Sequence, residues 1–550
     1  MKKYVVIALC LGLLAACSKV PGPAASGGTD ASPGSARNAT TIPHELRIGD
    51  NLDFNSLNPH LDSALSVNSI ASMTMAYLLR SDEHNRPVPE LATQVPTQAN
   101  GGISKDGKTI TWHLRRGVKW SDGVPFTADD VVFSTHVVLN PANNEIGRDG
   151  WNLITKMDEP DKYTVVFHLT KPYSAYFPVF FGTGGANPCI LPKHILGNLP
   201  NINSAPYNSL PVGIGPFKVV KWVRSDHVEL DANPLYWRGM PKLHKVIYRI
   251  IPDRNTLLTQ LQTGEIDLWP FVGAGYYDRV RSLPHVNVIK KPNYLYAHID
   301  FNLSRAIFKN DLPLRQALRM AIDRKTIQAK VNHGTGIVQE GMETPVSPMF
   351  VNLPLVPFDL AKANALLDAD GWKRGPDGVR VKAGRRLSLE FVLALGNPDY
   401  DQLVELIRST WKQIGVVLDV KRYESALYFA PIQSGGIMYS GKFDVAFFSW
   451  SLDPTGDLAN LFACTQIPPN GQNDPRYCNP AADALMAKVK VTYDEAERKK
   501  YVTQVVTIVD RDVPTVVMYI WDGIYAHNSD LHGWHPNQVS PFDDMMNVDI

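Results

Sequence analysis

Cysteine is scarce in this sequence, and an excess of charge of either sign is absent. Five of the 550 residues are cysteine, and 55 basic residues nearly balance 54 acidic ones to give a net charge of +1. A chain without a basic excess is poorly suited to binding nucleic acid, whose phosphates demand lysine and arginine. The hydrophobic fraction of 44% and the charged fraction of 20% are typical of a globular protein. A chain of this length predicts two to four domains.

Signatures of common catalytic and metal sites are also missing. The sequence contains no H-E-x-x-H zinc motif, no paired C-x-x-C and no G-x-S-x-G nucleophile elbow. The 15 histidines are scattered, and His60 with Asp62 is too small a group for a metal site. We therefore expect no cofactor, no metal and no enzymatic activity.

The N-terminus, MKKYVVIALCLGLLAAC, carries two lysines followed by an apolar stretch. At about 13 residues this stretch fits the ~7–15 of a signal-peptide core and is shorter than the ~20 of a membrane-spanning helix. It ends in a sequence that resembles the bacterial lipobox, in which the cysteine is acylated. We predict that residues 1–16 are a lipoprotein signal peptide and that Cys17 carries the lipid. Residues 17–44, rich in Gly, Ser, Ala and Pro, are predicted to form a flexible tether.

Three cysteines remain in the body of the chain, at positions 189, 464 and 478. Export into an oxidising compartment permits disulfides. We expect Cys464 and Cys478 to pair, closing a loop of about 15 residues worth ~3 kcal/mol in the chain-entropy model. Cys189 is then left as a buried free thiol. The alternative is that none of the three pairs.

Hydrophobic patterning predicts an α/β protein. Strands and helices alternate through residues 387–450, as LSLEFVLAL, YDQLVELIRSTWKQIG, VVLDV, SALYFAPIQ and FDVAFFSW. This order indicates a parallel sheet with helices on its faces. Elsewhere the pattern predicts a helix over 66–80. Thr127 with Asp130, and Thr492 with Glu495, match the capping-box pattern at helix starts.

Asp453 follows the apolar strand FDVAFFSW closely, in the stretch SWSLDPTGD. Ligands of open α/β sheets bind outside the carboxyl ends of the strands, where a carboxylate can receive a ligand's positive charge. An ordinary Asp-Pro turn is the alternative. Asp453 and Asp457 could also be a catalytic acid pair, although no base accompanies them. Trp450 is either a wall of a site or a core residue.

Several stretches together resemble the family 5 extracellular solute-binding proteins, the dipeptide- and oligopeptide-binding lipoproteins of bacterial ABC importers. They are LRRGVKWSDGVPFTADDVVFS, VGIGPFKVVKW, ANPLYWRGMPKLHKVIYRIIPD, LQTGEIDL, LRQALRMAID, AKANALLDADGW, KQIGVVLDV, LFACTQ and YCNPAADAL. Each stretch is weak alone, but the ordered set covers nearly all of residues 45–540.

The resemblance implies the two-lobed type II (cluster C) periplasmic-binding-protein fold, with a small extra domain inserted in lobe I. Transferred to this chain, lobe I comprises about 45–90, 212–298 and 513–550. The inserted subdomain comprises about 91–211, and lobe II about 299–512. The ligand lies between the lobes, which close over it by hinge bending.

The resemblance also implies a role for the motif Trp450-Ser-Leu-Asp453. Peptide-binding members use an aspartate three residues after a tryptophan to receive the α-ammonium of the peptide. We therefore expect Asp453, Trp450, Ser451 and Asn302 to bind the ligand. Dipeptide-binding members also carry an arginine for the ligand's carboxylate. The corresponding stretch here, LALGNPDYD, has none, which puts strict dipeptide selection in doubt.

The expected function is capture of peptides and their delivery to an ABC permease with its ATPase. The protein is expected to be an exported monomer, held by lipid alone at a membrane surface facing the periplasm or the cell exterior, with no nucleic-acid partner. Three alternatives stay open. One is the same fold binding a nickel chelate, haem or an oligosaccharide, another is an exported hydrolase, and the third is a surface interaction protein with no transported ligand.

Overall fold

The computed structural model describes residues 38–550, apart from 149, 184–187, 396, 431 and 453. The predicted signal peptide, Cys17 and most of the predicted tether lie outside the described residues. The strands are β1 Glu45–Asp50, β2 Leu79–Ser81, β3 Pro87–Pro89, β4 Thr109–His113, β5 Ile154–Asp161, β6 Thr164–Leu169, β7 Phe217–Val223, β8 His227–Ala232, β9 Lys245–Ile250, β10 Leu268–Trp269, β11 Val286–Phe301, β12 Lys373–Arg374, β13 Arg380–Lys382, β14 Arg385–Arg386, β15 Ser388–Ala394, β16 Val417–Tyr423, β17 Val445–Ser451 and β18 Thr515–Asn528.

The α-helices are α1 Leu65–Thr74, α2 Ala128–Leu139, α3 Tyr176–Val179, α4 Lys193–Leu196, α5 Arg254–Thr263, α6 Tyr277–Arg281, α7 Leu312–Met320, α8 Arg324–Lys330, α9 Leu360–Ala369, α10 Pro398–Gln413, α11 Ser425–Tyr428, α12 Ile437–Ser440, α13 Ala459–Phe462, α14 Pro480–Val491 and α15 Glu495–Asp512. Short 3₁₀ turns occupy Trp151–Leu153, Pro206–Asn208, Ala274–Tyr276, Ile432–Ser434 and Cys464–Gln466.

A ten-stranded sheet has the order β16-β15-β17-β11-β18-β10-β1-β9-β8-β7. At one end β15 pairs in parallel with both β16 and β17, as the alternation of strands and helices predicted. At the other end β1 pairs in parallel with β9 and β10, while β7, β8 and β9 form an antiparallel meander. The sheet therefore has two halves of different topology, joined by β11 and β18.

Strands β11 and β18 are antiparallel to each other and pass through both halves. Val286–Pro292 pairs with Asp522–Asn528 in one half, and Tyr296–Asp300 pairs with Thr515–Ile520 in the other. Between Pro292 and Tyr296 the register shifts. A second shift lies between Ala297 and His298. Because an irregularity of this kind interrupts the ladder and lets a strand bend, β11 can bend where it passes from one half to the other.

Each half packs a hydrophobic core of its own. The half containing β15 buries Phe391, Trp411 and Phe447 between the sheet and its helices. The half containing β1 buries Ile48 and Tyr248 in a second cluster. A separate three-stranded sheet, β4-β6-β5, packs with α2 around a third cluster. The described part of the chain therefore contains several distinct hydrophobic clusters.

The helix boundaries differ from the sequence predictions in two places. The capping box at Thr127 and Asp130 is present at the start of α2, which confirms that prediction. The capping box predicted at Thr492 is wrong: α15 is capped by Asp494, whose side chain accepts from the Glu497 N–H, and Thr492 instead ends α14. Asp is as good an N-cap as Thr, and its carboxylate also favours the positive helix end.

The helix predicted over 66–80 is also shorter in the structure. It ends at Thr74, and residues 79–81 form β2. Apolar side chains are buried in the helical part of this stretch and in the strand part alike. Hydrophobicity alone therefore does not show where the helix ends and the strand begins.

Cys464 and Cys478 form a disulfide, as predicted, with 2.10 Å between the sulfurs and a sequence separation of 14 residues. Cys189 is a buried free cysteine.

Reduction of the disulfide should lower the melting temperature. The closed loop restricts the unfolded chain, and this stabilises the folded protein by about 3 kcal/mol. A thermal melt with and without reductant tests this for the wild type and for a Cys464→Ser/Cys478→Ser variant. The variant should melt at the lower temperature under both conditions. A wild-type melting temperature that ignores reductant would contradict the prediction.

Candidate ligand-binding cavity

A cavity of about 310 Å³ lies where the two halves of the sheet meet. Strand β11 contributes Asn293–Leu295, the segment at its register shift, and β18 contributes Gly523 and Tyr525. The carboxyl end of β17 contributes Ser451. The remaining described lining residues are Leu65, Asn68, Ser69, Ser72, Tyr77, Ser81, Phe177, Pro178, Thr183, Phe271, Leu452, Pro454, Gln538, Val539, Ser540 and Pro541. The cavity therefore spans the junction of the two halves.

Hydroxyl groups on the cavity wall are oriented by the backbone. On α1, the Ser69 hydroxyl donates to the Leu65 carbonyl at 2.8 Å, and the Ser72 hydroxyl donates to the Ser69 carbonyl at 2.9 Å. A hydroxyl has one proton, so once it donates, its oxygen can only accept further hydrogen bonds. These serines therefore offer acceptors to a ligand's N–H groups.

Two amide side chains supply the complementary donors. The Asn293 side-chain oxygen accepts from the Leu295 N–H at 2.8 Å, and the Gln538 side-chain oxygen accepts from Asn85 at 2.7 Å. Each of these oxygens already has one partner, and the NH₂ groups of Asn293 and Gln538 add N–H donors that a ligand can use. A molecule rich in both N–H and C=O groups, as a peptide backbone is, matches this wall.

A buried carboxylate supports one side of the cavity. Asp543 Oδ2 accepts from the Thr183 hydroxyl at 2.6 Å and from the Ser81 N–H at 3.2 Å. Thr183 Oγ1 in turn accepts from the same Ser81 N–H at 2.8 Å. Burial raises the pKa of the Asp543 carboxyl to about 6. The hydrogen bonds that this carboxyl accepts lower its pKa, but burial has the larger effect.

The described residues that line the cavity include no Asp, Glu, Lys, Arg or His. Most of the wall is aromatic or aliphatic, with rings from Tyr77, Phe177, Phe271, Tyr294 and Tyr525. Small-molecule sites commonly combine such apolar walls with a few well-placed polar groups. No described lining side chain can form an ion pair with a ligand carboxylate, in agreement with the missing arginine in LALGNPDYD.

Of the residues that the sequence predicted for the site, the structure brings Ser451 to the cavity wall. Trp450 is partly buried and packs edge-to-face on Phe448 at 5.8 Å. It is not among the described lining residues, so its observed contacts are those of a core residue. Asp453 lies outside the described residues, and its described neighbours Leu452 and Pro454 both line the cavity.

Asn302, also predicted to bind the ligand, lies elsewhere. It is fully buried, and its amide NH₂ donates to the Gly441 and Phe443 carbonyls at 3.1 and 3.0 Å. Its oxygen accepts from the Ser304 hydroxyl at 2.6 Å. These bonds use its polar atoms to fix the chain that leads into β17, which is a structural role.

Other site types find no support among the described residues. The sequence was expected to contain no Walker phosphate-binding motif, but residues 102–109, GISKDGKT, match its letters. That motif binds phosphate at the start of a helix, whereas here Thr109 begins strand β4. Within the described residues, no cluster of three His, Cys, Asp or Glu side chains could hold a metal. No helix in the same part of the chain is both long and apolar enough to span a membrane.

Much of the cavity was missed from the sequence. The serines of α1 gave a usable signal, since Ser69 and Ser72 are three residues apart in SVNSIASMT and share one helix face. Thr183, Tyr525 and Ser540 gave none, because they come from distant parts of the chain and meet only in the folded protein.

Comparison with known proteins accounts for this architecture. The profile of the family "Bacterial extracellular solute-binding proteins, family 5 Middle" matches residues 86–469. The oligopeptide-binding protein AppA of Bacillus subtilis is 29% identical over 500 residues, which cover 89% of this chain and 88% of the relative.

Solved structures give the same result. The structure of AppA from Bacillus subtilis in complex with a nonapeptide has a TM-score of 0.72 and 26% identity, covering 92% of this chain and 98% of that one. NikZ from Campylobacter jejuni in complex with Ni(L-His) also has a TM-score of 0.72 and 26% identity, covering 91% and 98%. The fold is the two-lobed type II fold of periplasmic binding proteins, and the chain belongs to the family 5 bacterial extracellular solute-binding proteins.

Proposed function

We propose that this protein is the solute-binding component of an ABC importer and that its cargo is a peptide. The observation that carries the proposal is the cavity between the two halves of the sheet. It combines acceptor hydroxyls, amide donors and apolar walls, which suit the N–H, C=O and side-chain groups of a peptide. The similarity to the oligopeptide-binding protein AppA supports the same cargo.

The ligand's α-ammonium is assigned to Asp453. Leu452 and Pro454, on either side of this position, line the cavity, and Ser451 does so as well. An ammonium–carboxylate hydrogen bond in an enclosed site is stronger than a neutral one. In the open protein, water would solvate the carboxylate, so its charge would be compensated in both states. Trp450 lies on the adjacent strand end and would support this end of the site.

The cavity size favours a short peptide. At about 310 Å³ it lies at the lower end of the ~300–1,000 Å³ that small-molecule sites enclose. With no cationic side chain among the described lining residues, the ligand's terminal carboxylate has no ion-pair partner on the wall. Selection would therefore rest on the amino end and on apolar side chains.

The remaining features of the proposal come from the sequence and the family. Hinge closure between lobe I (about 45–90, 212–298 and 513–550) and lobe II (about 299–512) would enclose the ligand, with the subdomain of about 91–211 attached to lobe I. A separate permease with its ATPase would receive the cargo. The protein would act as a monomer, anchored through lipid on Cys17 after removal of residues 1–16.

Mass spectrometry of the protein purified under native conditions tests the cargo directly. Peptides released on denaturation, and absent from a blank purification, are the expected result. Release of a nickel chelate or haem instead of peptides would show that the protein binds a non-peptide cargo. Peptide fragments that accumulate on incubation with added peptide would instead indicate a hydrolase.

Blocking the amino end of a peptide should abolish most of its binding. N-acetylation removes the positive charge that the proposed carboxylate receives, while the rest of the ligand is unchanged. Calorimetry with trialanine and N-acetyl-trialanine measures the effect, and at least a tenfold weaker affinity is expected, the size of one charge-assisted hydrogen bond of ~1.5–3 kcal/mol. Equal affinities would rule out an ammonium-binding role for this site.

A further inference from the structure

Asp543 is a buried carboxylate that the proposed function does not use. It is separated from the cavity by a single layer of side chains: its Oδ2 is 2.6 Å from the hydroxyl of Thr183, which lines the cavity. Its Oδ1 is buried, and the side chain of Ser540, another lining residue, lies close enough to favour the ionised form of the carboxyl.

The wall in front of Asp543 presents acceptors. The Thr183 hydroxyl donates to Asp543, and the Ser81 hydroxyl donates to the Thr183 carbonyl at 3.5 Å. Because both protons are committed, the oxygens of Thr183 and Ser81 can only accept from a ligand. A wall of acceptor oxygens with a negative charge behind it disfavours anions and stabilises a cation.

We propose that Asp543 is a specificity-determining residue, which selects peptides that place a lysine or arginine side chain against the wall formed by Ser81, Thr183 and Ser540. This inference rests on the proposed peptide-binding function and extends it. The ligand's α-ammonium is assigned to Asp453, so the wall at Asp543 receives a second positive charge. Asp543 does not touch the ligand; it acts through the hydroxyl groups in front of it.

A consequence is that binding and proton release are linked. The pKa of Asp543 is raised by burial to about 6, so the carboxyl is largely protonated at pH 5 and largely ionised at pH 7.5. A cation at the wall stabilises the ionised form and lowers this pKa. Binding of a lysine peptide near pH 6 should therefore release a proton, and the preference for lysine should grow as the pH rises from 5 to 7.5.

Other charged groups near Asp543 must be separated from this effect. Arg80 favours its ionised form, and the Tyr77 phenol is also close enough to interact with it. A second cavity of about 360 Å³ is lined by Asp543 itself and by Ser81 and Ser540 of the wall. Its other titratable or charged lining groups are Arg80, Asp82, Glu83, His84, Arg86, His535 and Asp544. A substitution at Asp543 itself isolates its contribution from theirs.

Calorimetry with two matched peptides, Ala-Lys-Ala and Ala-norleucine-Ala, tests the proposal. They share the backbone and the α-ammonium and differ in the side-chain charge. At pH 7.5 the wild type should bind the lysine peptide at least about tenfold more tightly than the norleucine peptide. The attraction between the lysine ammonium and a carboxylate ~6 Å away, at an effective permittivity of ~20, is large enough to give this difference in affinity. Asp543→Asn should remove the preference. Asp544→Asn, which changes an exposed carboxylate paired with Arg238 at 3.3 Å, should keep it.

Proton release is measured at pH 6 in buffers of low and high ionisation enthalpy. For each peptide, the change in apparent binding enthalpy between the two buffers reports the protons released. This change should be larger for the lysine peptide than for the norleucine peptide, and Asp543→Asn should make the two changes equal. Should the variant fail to fold, the wild-type preference for the lysine peptide over the norleucine peptide should still increase from pH 5 to pH 7.5, and a preference that does not change would contradict the proposal. Equal affinities for the two peptides at pH 7.5 would overturn the proposal while leaving peptide binding intact. Failure of both peptides to bind would overturn the proposed function and this inference together.

Discussion

Replacing Asp453 by alanine is expected to weaken peptide binding by about 2–5 kcal/mol, or about 30- to 5,000-fold in affinity. The substitution would leave the ligand's ammonium enclosed without a counter-charge. Described residues on both sides of this position line the cavity, so the loss should appear in binding. Calorimetry with an unblocked tripeptide measures it, and the melting temperature of the free protein should change little.

Asp457→Asn is a matched control for this variant. Asp457 lies in the same loop, where its carboxylate accepts from the Ala459 N–H at 3.0 Å and is 3.4 Å from the Lys490 ammonium. This change removes a negative charge from the loop without reaching the cavity wall. Affinity close to the wild type is expected for Asp457→Asn. If Asp453→Ala also binds like the wild type, the assigned ammonium site is wrong.

Breaking the ion pair between Arg324 and Glu340 is expected to destabilise the fold by about 3–5 kcal/mol. Both side chains are buried, and the guanidinium meets both carboxylate oxygens, Nη1 lying 3.2 Å from Oε2. The guanidinium also donates to the carbonyl of Val517 on β18 at 2.9 Å, and Glu340 accepts from the Val356 N–H at 2.6 Å. Arg324→Met would leave a buried carboxylate with much of its charge uncompensated.

Urea unfolding measures this loss. The double variant Arg324→Met/Glu340→Gln should recover part of the stability, because the glutamine oxygen can still accept from Val356 while the buried charge is gone. Arg281→Met provides the control: its exposed pair with Asp278, at 3.0 Å, should contribute less than about 1 kcal/mol. Equal losses for Arg324→Met and Arg281→Met would show that burial does not govern these pairs.

The parts of the fold that the sequence predicted well are those with local signals. The alternation of strands and helices over 387–450 predicted three neighbouring parallel strands. Asp323 belongs to the residue types that favour helix N-caps, and its side chain accepts from the Thr326 N–H at the start of α8. Gly264 ends α5 and has the left-handed φ of 72° that glycine adopts most easily. Each of these features is decided within a few residues.

Features that depend on distant partners were not predictable in the same way. Nothing in the sequence of β11 marks the register shift near Tyr296, because it depends on how β18 pairs with it. Asn302 looked like a candidate for the site, but the carbonyls that it binds lie about 140 residues away, at 441 and 443. Ser81, Thr183 and Asp543 form one hydrogen-bonded group although they are far apart in the chain.

The position of β18 in the sheet limits how early the chain can fold during its synthesis. This strand comes from residues 515–528, yet it lies between β10 and β11, in the middle of the sheet. Until the ribosome has made almost the whole polypeptide, β10 and β11 each lack the neighbouring strand that lies between them. The sheet then consists of two separate pieces with open edges. The nascent chain therefore cannot reach its native state before translation is nearly complete, and messages truncated before residue 515 should yield aggregates rather than a smaller folded protein.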